Sequence, residues 1–142
     1  MIEIATNERP PEIRRAVIVA YVVIGLSLAH LAFEDLTGDG ITVGFFVNLL
    51  VFVPLELFVL QRILAGANWA RLLYVAFMVV TLLGTILFAP TLWAEEPSLL
   101  VIDIPTVALS ALIVWWLVSK PTREWFRRLR EESRGAQLEE NA

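Results

Sequence analysis

Glu56 stands where a carboxylate is least compatible with its surroundings. It lies inside the apolar stretch Ile41 to Leu60 (ITVGFFVNLLVFVPLELFVL), two residues after Pro54 and eight after Asn48. An ionised carboxylate in hydrocarbon has to be paired, hydrated or protonated. Pro54 has no N–H, so the carbonyl of Leu50 loses its helical donor and the helix bends there, as it often does beside a functional polar position. Two readings follow. Glu56 faces the interior with Asn48, as a protonatable or ligand-coordinating site, or it snorkels to the near rim and pairs with Arg62 or Arg71. The direction of one side chain separates them.

His30 and Glu34 form a second candidate group, four residues apart on one helical face, with Asp103 entering a later apolar run from the same side. Such a set could hold a divalent cation or relay protons. The alternative is an interfacial histidine beside a solvated acidic turn, with Asp103 favoured near a helix amino end by the helix dipole. Thr81, Thr85, Thr106 and Ser110 place hydroxyls at depth, where they read as interhelical hydrogen-bonding groups, and Gly25, Ala29 and Gly84 read as points of close helix approach. With no cysteine and one histidine the chain offers no thiolate chemistry and no all-protein zinc or iron site. No Ser-His-Asp set, phosphate-cradling glycine loop or HExxH word occurs, so no catalytic residue, metal site or cofactor is expected and the chain reads as a non-enzyme.

These residues must be positioned by membrane helices. Of 142 residues 58% are hydrophobic and 18% charged, with a mean hydropathy of +0.71, beyond the mixture of soluble domains. Four apolar spans are legible, about 16–33, 41–60, 72–88 and 99–118, each long enough to cross a bilayer or nearly so. Residues 1–12 form an amino-terminal arm, 13–120 the four-span domain, and 121–142 a surface helix with an acidic tail expected to be disordered. The 11 basic residues alternate perfectly: three precede the first span, none lies in the first connection, two lie in the second, none in the third and six follow Val118. The positive-inside rule then places both termini and the connection Gln61 to Arg71 in the cytoplasm. Trp69, Trp115, Trp116 and Trp125 fall near that interface and Trp93 near the other, as an aromatic belt requires.

After Val118 the segment SKPTREWFRRLREESRG reads as a helix with Trp125, Phe126 and Leu129 on one face and Arg123, Arg127, Arg128 and Arg130 on the others. Next to a span, this pattern favours anionic lipid head groups over nucleic acid.

The words GANWAR (Gly66 to Arg71) after the second span and KPTREWF (Lys120 to Phe126) after the fourth resemble a pattern in small four-helix inner-membrane proteins of bacteria. The resemblance implies topology and a bacterial cytoplasmic membrane, and no activity. In these words Asn68 is expected to cap the third helix and Arg71 to meet phosphates or Glu56. The expected fold is an all-α four-helix transmembrane bundle with both termini cytoplasmic and an amphipathic surface helix at its carboxy end. Its expected role is that of a non-enzymatic accessory or interaction protein, as a homo-oligomer or beside a larger membrane protein. The alternative is a small proton- or cation-coupled transporter or channel that uses Glu56.

Overall fold

The computed structural model describes residues 9–37, 42–95 and 100–140, and leaves aside the side chains of 34–37, 89, 92, 93, 95, 100, 102, 103, 139 and 140. The described chain is all-helical, without strands: α1 Pro11–Thr37, α2 Val43–Leu64, α3 Asn68–Glu95, α4 Leu100–Val118 and α5 Lys120–Glu140. Pro11 opens α1 at the position where a missing N–H costs nothing. Pro11–Phe33, Val43–Leu64 and Asn68–Phe88 are each long and apolar enough to cross a membrane. Ile104–Val118 meets the same criterion only together with Lys120–Leu138, from which a 46° bend separates it, so three to four helices have the length and composition of membrane spans. That is the composition of a multi-pass membrane protein.

The first four helices close a ring in which α1 lies against α2 and α4, and α3 against the same two. Two elements differ from the sequence expectation for local reasons. α3 does not stop before Ala89-Pro90 but runs on to Glu95, and the Thr91 hydroxyl donates to the Phe88 carbonyl at 2.7 Å beside the proline. α5 continues past Gly135 to Glu140, because Ala136 to Glu140 are good helix formers that outweigh one glycine.

The buried residues gather at one end of the ring. Ile13, Val17, Leu60, Ile63, Ile113 and Leu117 pack there with Trp125 and Phe126 of α5. α5 is held by its joint with α4. Pro121 supplies no N–H to the Leu117 carbonyl, and beside it the Trp116 carbonyl accepts from Ser119 Oγ at 2.7 Å and from Thr122 Oγ1 at 2.9 Å. Thr122 is fully buried.

The turn between α2 and α3 meets the underside of α5. The amide of Ala67 donates to the Arg62 carbonyl at 2.9 Å and that of Gly66 to the Ile63 carbonyl at 3.0 Å, which is a Schellman close with Gly66 in the left-handed region at φ 85°. A Cβ at Gly66 would stand 2.6 Å from Leu129 Cδ1. Glycine is therefore required by the backbone conformation, and any added side chain would also have to displace the flexible end of Leu129.

Candidate functional site

Asn48 and Glu56 would diverge on an uninterrupted α-helix: eight residues at about 100° each leave them roughly 80° apart. α2 is not uninterrupted. Asn48–Phe52 form a π-helical turn, and the amide of Val53 donates to the Asn48 carbonyl five residues back. The extra residue of a π-bulge takes back about 100°, which brings the two side chains to within roughly 20° of one face. The turn lies immediately before Pro54, where the α-helical hydrogen-bond ladder is already interrupted.

That face lines a cavity of about 350 Å³ between the four helices. Its polar lining is Ser27 of α1, Asn48 and Glu56 of α2, Thr81 of α3, and Thr106 and Ser110 of α4. Val23, Met78 and Ser110, which are buried, form its floor, whereas Ser27 and Thr81 are exposed. The cavity thus closes toward the packed end of the ring and opens toward the other. A second, apolar groove of about 270 Å³ reaches the same carboxylate from between α2 and α3, lined by Phe52, Leu55, Val59, Leu73 and Phe77.

Glu56 is half-buried, and Tyr74 donates its hydroxyl to Glu56 Oε1 at 2.8 Å. Tyr74 itself is only 2% exposed. Neither arginine expected at the rim approaches the carboxylate. The Arg62 guanidinium lies 5.0 Å from the centre of the Phe58 ring, and that of Arg71 lies 4.8 Å from the centre of the Phe126 ring. Glu56 therefore faces the interior cavity, with one of its oxygens held by a neutral donor. Such an arrangement can accept a proton or coordinate a cation or a hydrogen-bond donor.

Tyr74 is the residue that sequence reasoning missed. Its signal was the hairpin: Gly66 lies ten residues after Glu56 and eight before Tyr74, so an antiparallel pair about that turn sets the two at similar depth.

His30 is half-buried on α1, while the side chains of Glu34 and Asp103 lie outside the described residues, as does that of Trp93. Among the described residues no three His, Asp or Glu side chains gather as a metal site would. Arg123, Arg127, Arg128 and Arg130 are exposed, but Trp125 and Phe126 are packed edge to face, 4.8 Å between ring centres, inside the protein rather than on its surface. The aromatic half of the expected lipid-binding face is used to dock α5.

Three local expectations are corrected. Thr81 and Thr85 donate within their own helix, to the carbonyls of Phe77 and Thr81 at 3.0 Å each, and so do not bridge helices. Gly25 and Gly84 have nothing within 4 Å of a Cβ placed on them, so neither marks a close helix approach within this chain. Asn68 does not cap α3: its Oδ1 is buried without a hydrogen bond, and the amide of Ala70 takes the Ala67 carbonyl at 3.1 Å.

No family model, no curated protein and no solved structure matches the chain.

Proposed function

We propose that the protein is a small multi-pass membrane carrier or channel that binds a proton or a small cation at Glu56. The observation that carries this reading is the direction of Glu56, which lines the interhelical cavity with Asn48 and Thr81 and bonds Tyr74 instead of an arginine. An acid held at the boundary between a closed, packed end and an open end is where a membrane protein that alternates access holds its coupling group. The distribution of arginine and lysine supports a cytoplasmic position for the packed end, with both termini and the α2–α3 turn. The cavity then opens outward.

The test is proton flux into vesicles. The full chain is reconstituted in liposomes holding a pH-sensitive dye, and a negative interior potential is imposed with a potassium ionophore. Acidification above that of protein-free vesicles is expected from the wild type, lost in Glu56→Gln and retained in the surface variant Glu131→Gln. If sodium or potassium is carried in place of protons, the dye stays silent and isotope uptake shows the same dependence on Glu56. Flux that is absent for all these ions, or unchanged in Glu56→Gln, overturns the reading.

A second reading, an oligomeric or partner-bound membrane component, draws on Gly25 and Ala29. They lie four residues apart and exposed on α1, a spacing that lets a helix from another chain approach closely. Cross-linking of the full chain in native membranes distinguishes it, since this reading requires a discrete higher-mass species that Gly25→Leu removes.

A further inference from the structure

Arg71 is buried without a counter-ion among the described residues. It is 9% exposed, its Nη1 is enclosed with no hydrogen-bond partner, and its guanidinium rests 4.8 Å from the centre of the Phe126 ring. Arg123 and Arg130 of α5, charges of its own sign, act on it. Three residues earlier, on the same face of α3, Asn68 Oδ1 is also enclosed and without a partner. An unpaired buried cation is costly, and more so beside two further cations. A donor and an acceptor left open one turn apart, in a nest of three arginines, describe a site whose missing component is an anion with a hydroxyl or other donor close to its charge.

We propose that Arg71, Arg123 and Arg130 form a binding site for a phosphate oxyanion beneath α5, with Asn68 taking a donor group on the same ligand. The guanidinium of Arg71 supplies paired N–H donors that match two phosphate oxygens, its plane is held by Phe126, and Arg123 and Arg130 stand three residues before and four after Phe126, one helical turn to either side of it on α5. The first turn of α3 adds the positive end of its helix dipole. This site is distinct from the cavity at Glu56, and it gives α5 a reason to be docked rather than free: a bound anion ties α3 to α5 across the turn at Gly66. The ligand chemistry has two sources, a phospholipid head group or a soluble phosphate.

The experiment uses the full chain in neutral detergent and records native mass spectra and thermal unfolding. Three additives are compared: dioleoylphosphatidylglycerol, dioleoylphosphatidylcholine and inorganic phosphate. One retained phosphatidylglycerol is expected, bound roughly tenfold more weakly by Arg71→Gln. Arg14→Gln, at an exposed position on α1 away from α5, is expected to change binding by less than about twofold. Arg123→Gln is a second test at an exposed position that does not depend on whether Arg71→Gln folds, and it too must weaken binding. Stabilisation by inorganic phosphate that depends on Arg71 and Arg123, with none from the lipid, supports the site and assigns it to a soluble ligand. Equal retention of both lipids with no response to phosphate, or binding unchanged in Arg123→Gln, overturns the proposal.

Discussion

At the end of the ring that holds the start of α1, the α2–α3 turn and α5, the helices supply enclosed side chains: Ile13, Leu60, Ile63, Ile113, Leu117 and Thr122. Beyond Ile24 in α1, before Val59 in α2, beyond Met78 in α3 and before Ser110 in α4, none of the described residues is buried. Many apolar side chains of that second half are exposed, Leu50, Val80, Leu87 and Val101 among them. Lipid tails are as apolar as leucine, so burying leucine between helices gains little beyond contact, and helices in a bilayer hold together where they interlock. The first half interlocks and carries a fifth helix across its base. The second half leaves room, and the cavity at Glu56 begins where the packing stops.

If that contrast is real, equal truncations must have unequal effects. Leu60→Ala removes a fully enclosed side chain from the packed half and is expected to cost about 2–4 kcal/mol through lost contacts and the void left behind. Leu50→Ala, at a position 69% exposed in the open half, is expected to change stability by less than about 0.5 kcal/mol. Reversible unfolding of both variants by mixed micelles of a denaturing detergent measures the difference. Equal effects would break the comparison.

The next effect lies at the base. Gly66→Ala forces an L-residue into φ 85° and sets its Cβ against Leu129, at an expected cost of about 1–3 kcal/mol. Gly66→Ala combined with Leu129→Ala relieves the contact and leaves the backbone term, so part of the loss should return. Full additivity, measured by the same unfolding assay, would mean that α5 does not bear on the turn.

Much of the packed half was legible in advance and little of the open half was. The spans, their order and the helix after Pro121 follow from apolar run length and from arginine placement, both properties of continuous sequence. Trp125 and Phe126 show the limit. Their spacing marks an apolar face but not what covers it, and a lipid surface and the underside of a bundle ask for the same residues. The π-turn at Asn48–Phe52 was signalled only in part: Pro54 announces a disturbed ladder, but not that the ladder absorbs an extra residue and swings Asn48 onto the face of Glu56. Thr81 and Thr85 read equally well as bridges between helices and as bonds within one, because a threonine hydroxyl reaches its own helix as easily as a neighbour.

At the boundary between the halves the bond from Tyr74 to Glu56 links α3 to α2. Tyr74→Phe removes the donor without changing the ring, and a hydrogen bond to a charged or strongly polar partner of this kind contributes about 1.5–3 kcal/mol. Glu56→Gln keeps the shape and the acceptor oxygen. A double-mutant cycle over the two substitutions in the unfolding assay is expected to show coupling of about 0.5 kcal/mol or more. Additive effects would detach Glu56 from the packed half and leave it wholly to the cavity.

The smallest expected effect on stability is the sharpest test of what the open half is for. Thr81 lines the cavity, yet its hydroxyl is satisfied by the Phe77 carbonyl at 3.0 Å in its own helix. Thr81→Val keeps the branched shape and removes no bond between helices, so its unfolding free energy should stay within about 0.5 kcal/mol of the wild type. The same hydroxyl oxygen retains acceptor capacity toward the cavity, because donation to Phe77 leaves its lone pairs free. Flux that falls in Thr81→Val while stability holds would show that polar residues of the open half serve a solute, and a loss of stability equal to that of Tyr74→Phe would show that they serve the bundle.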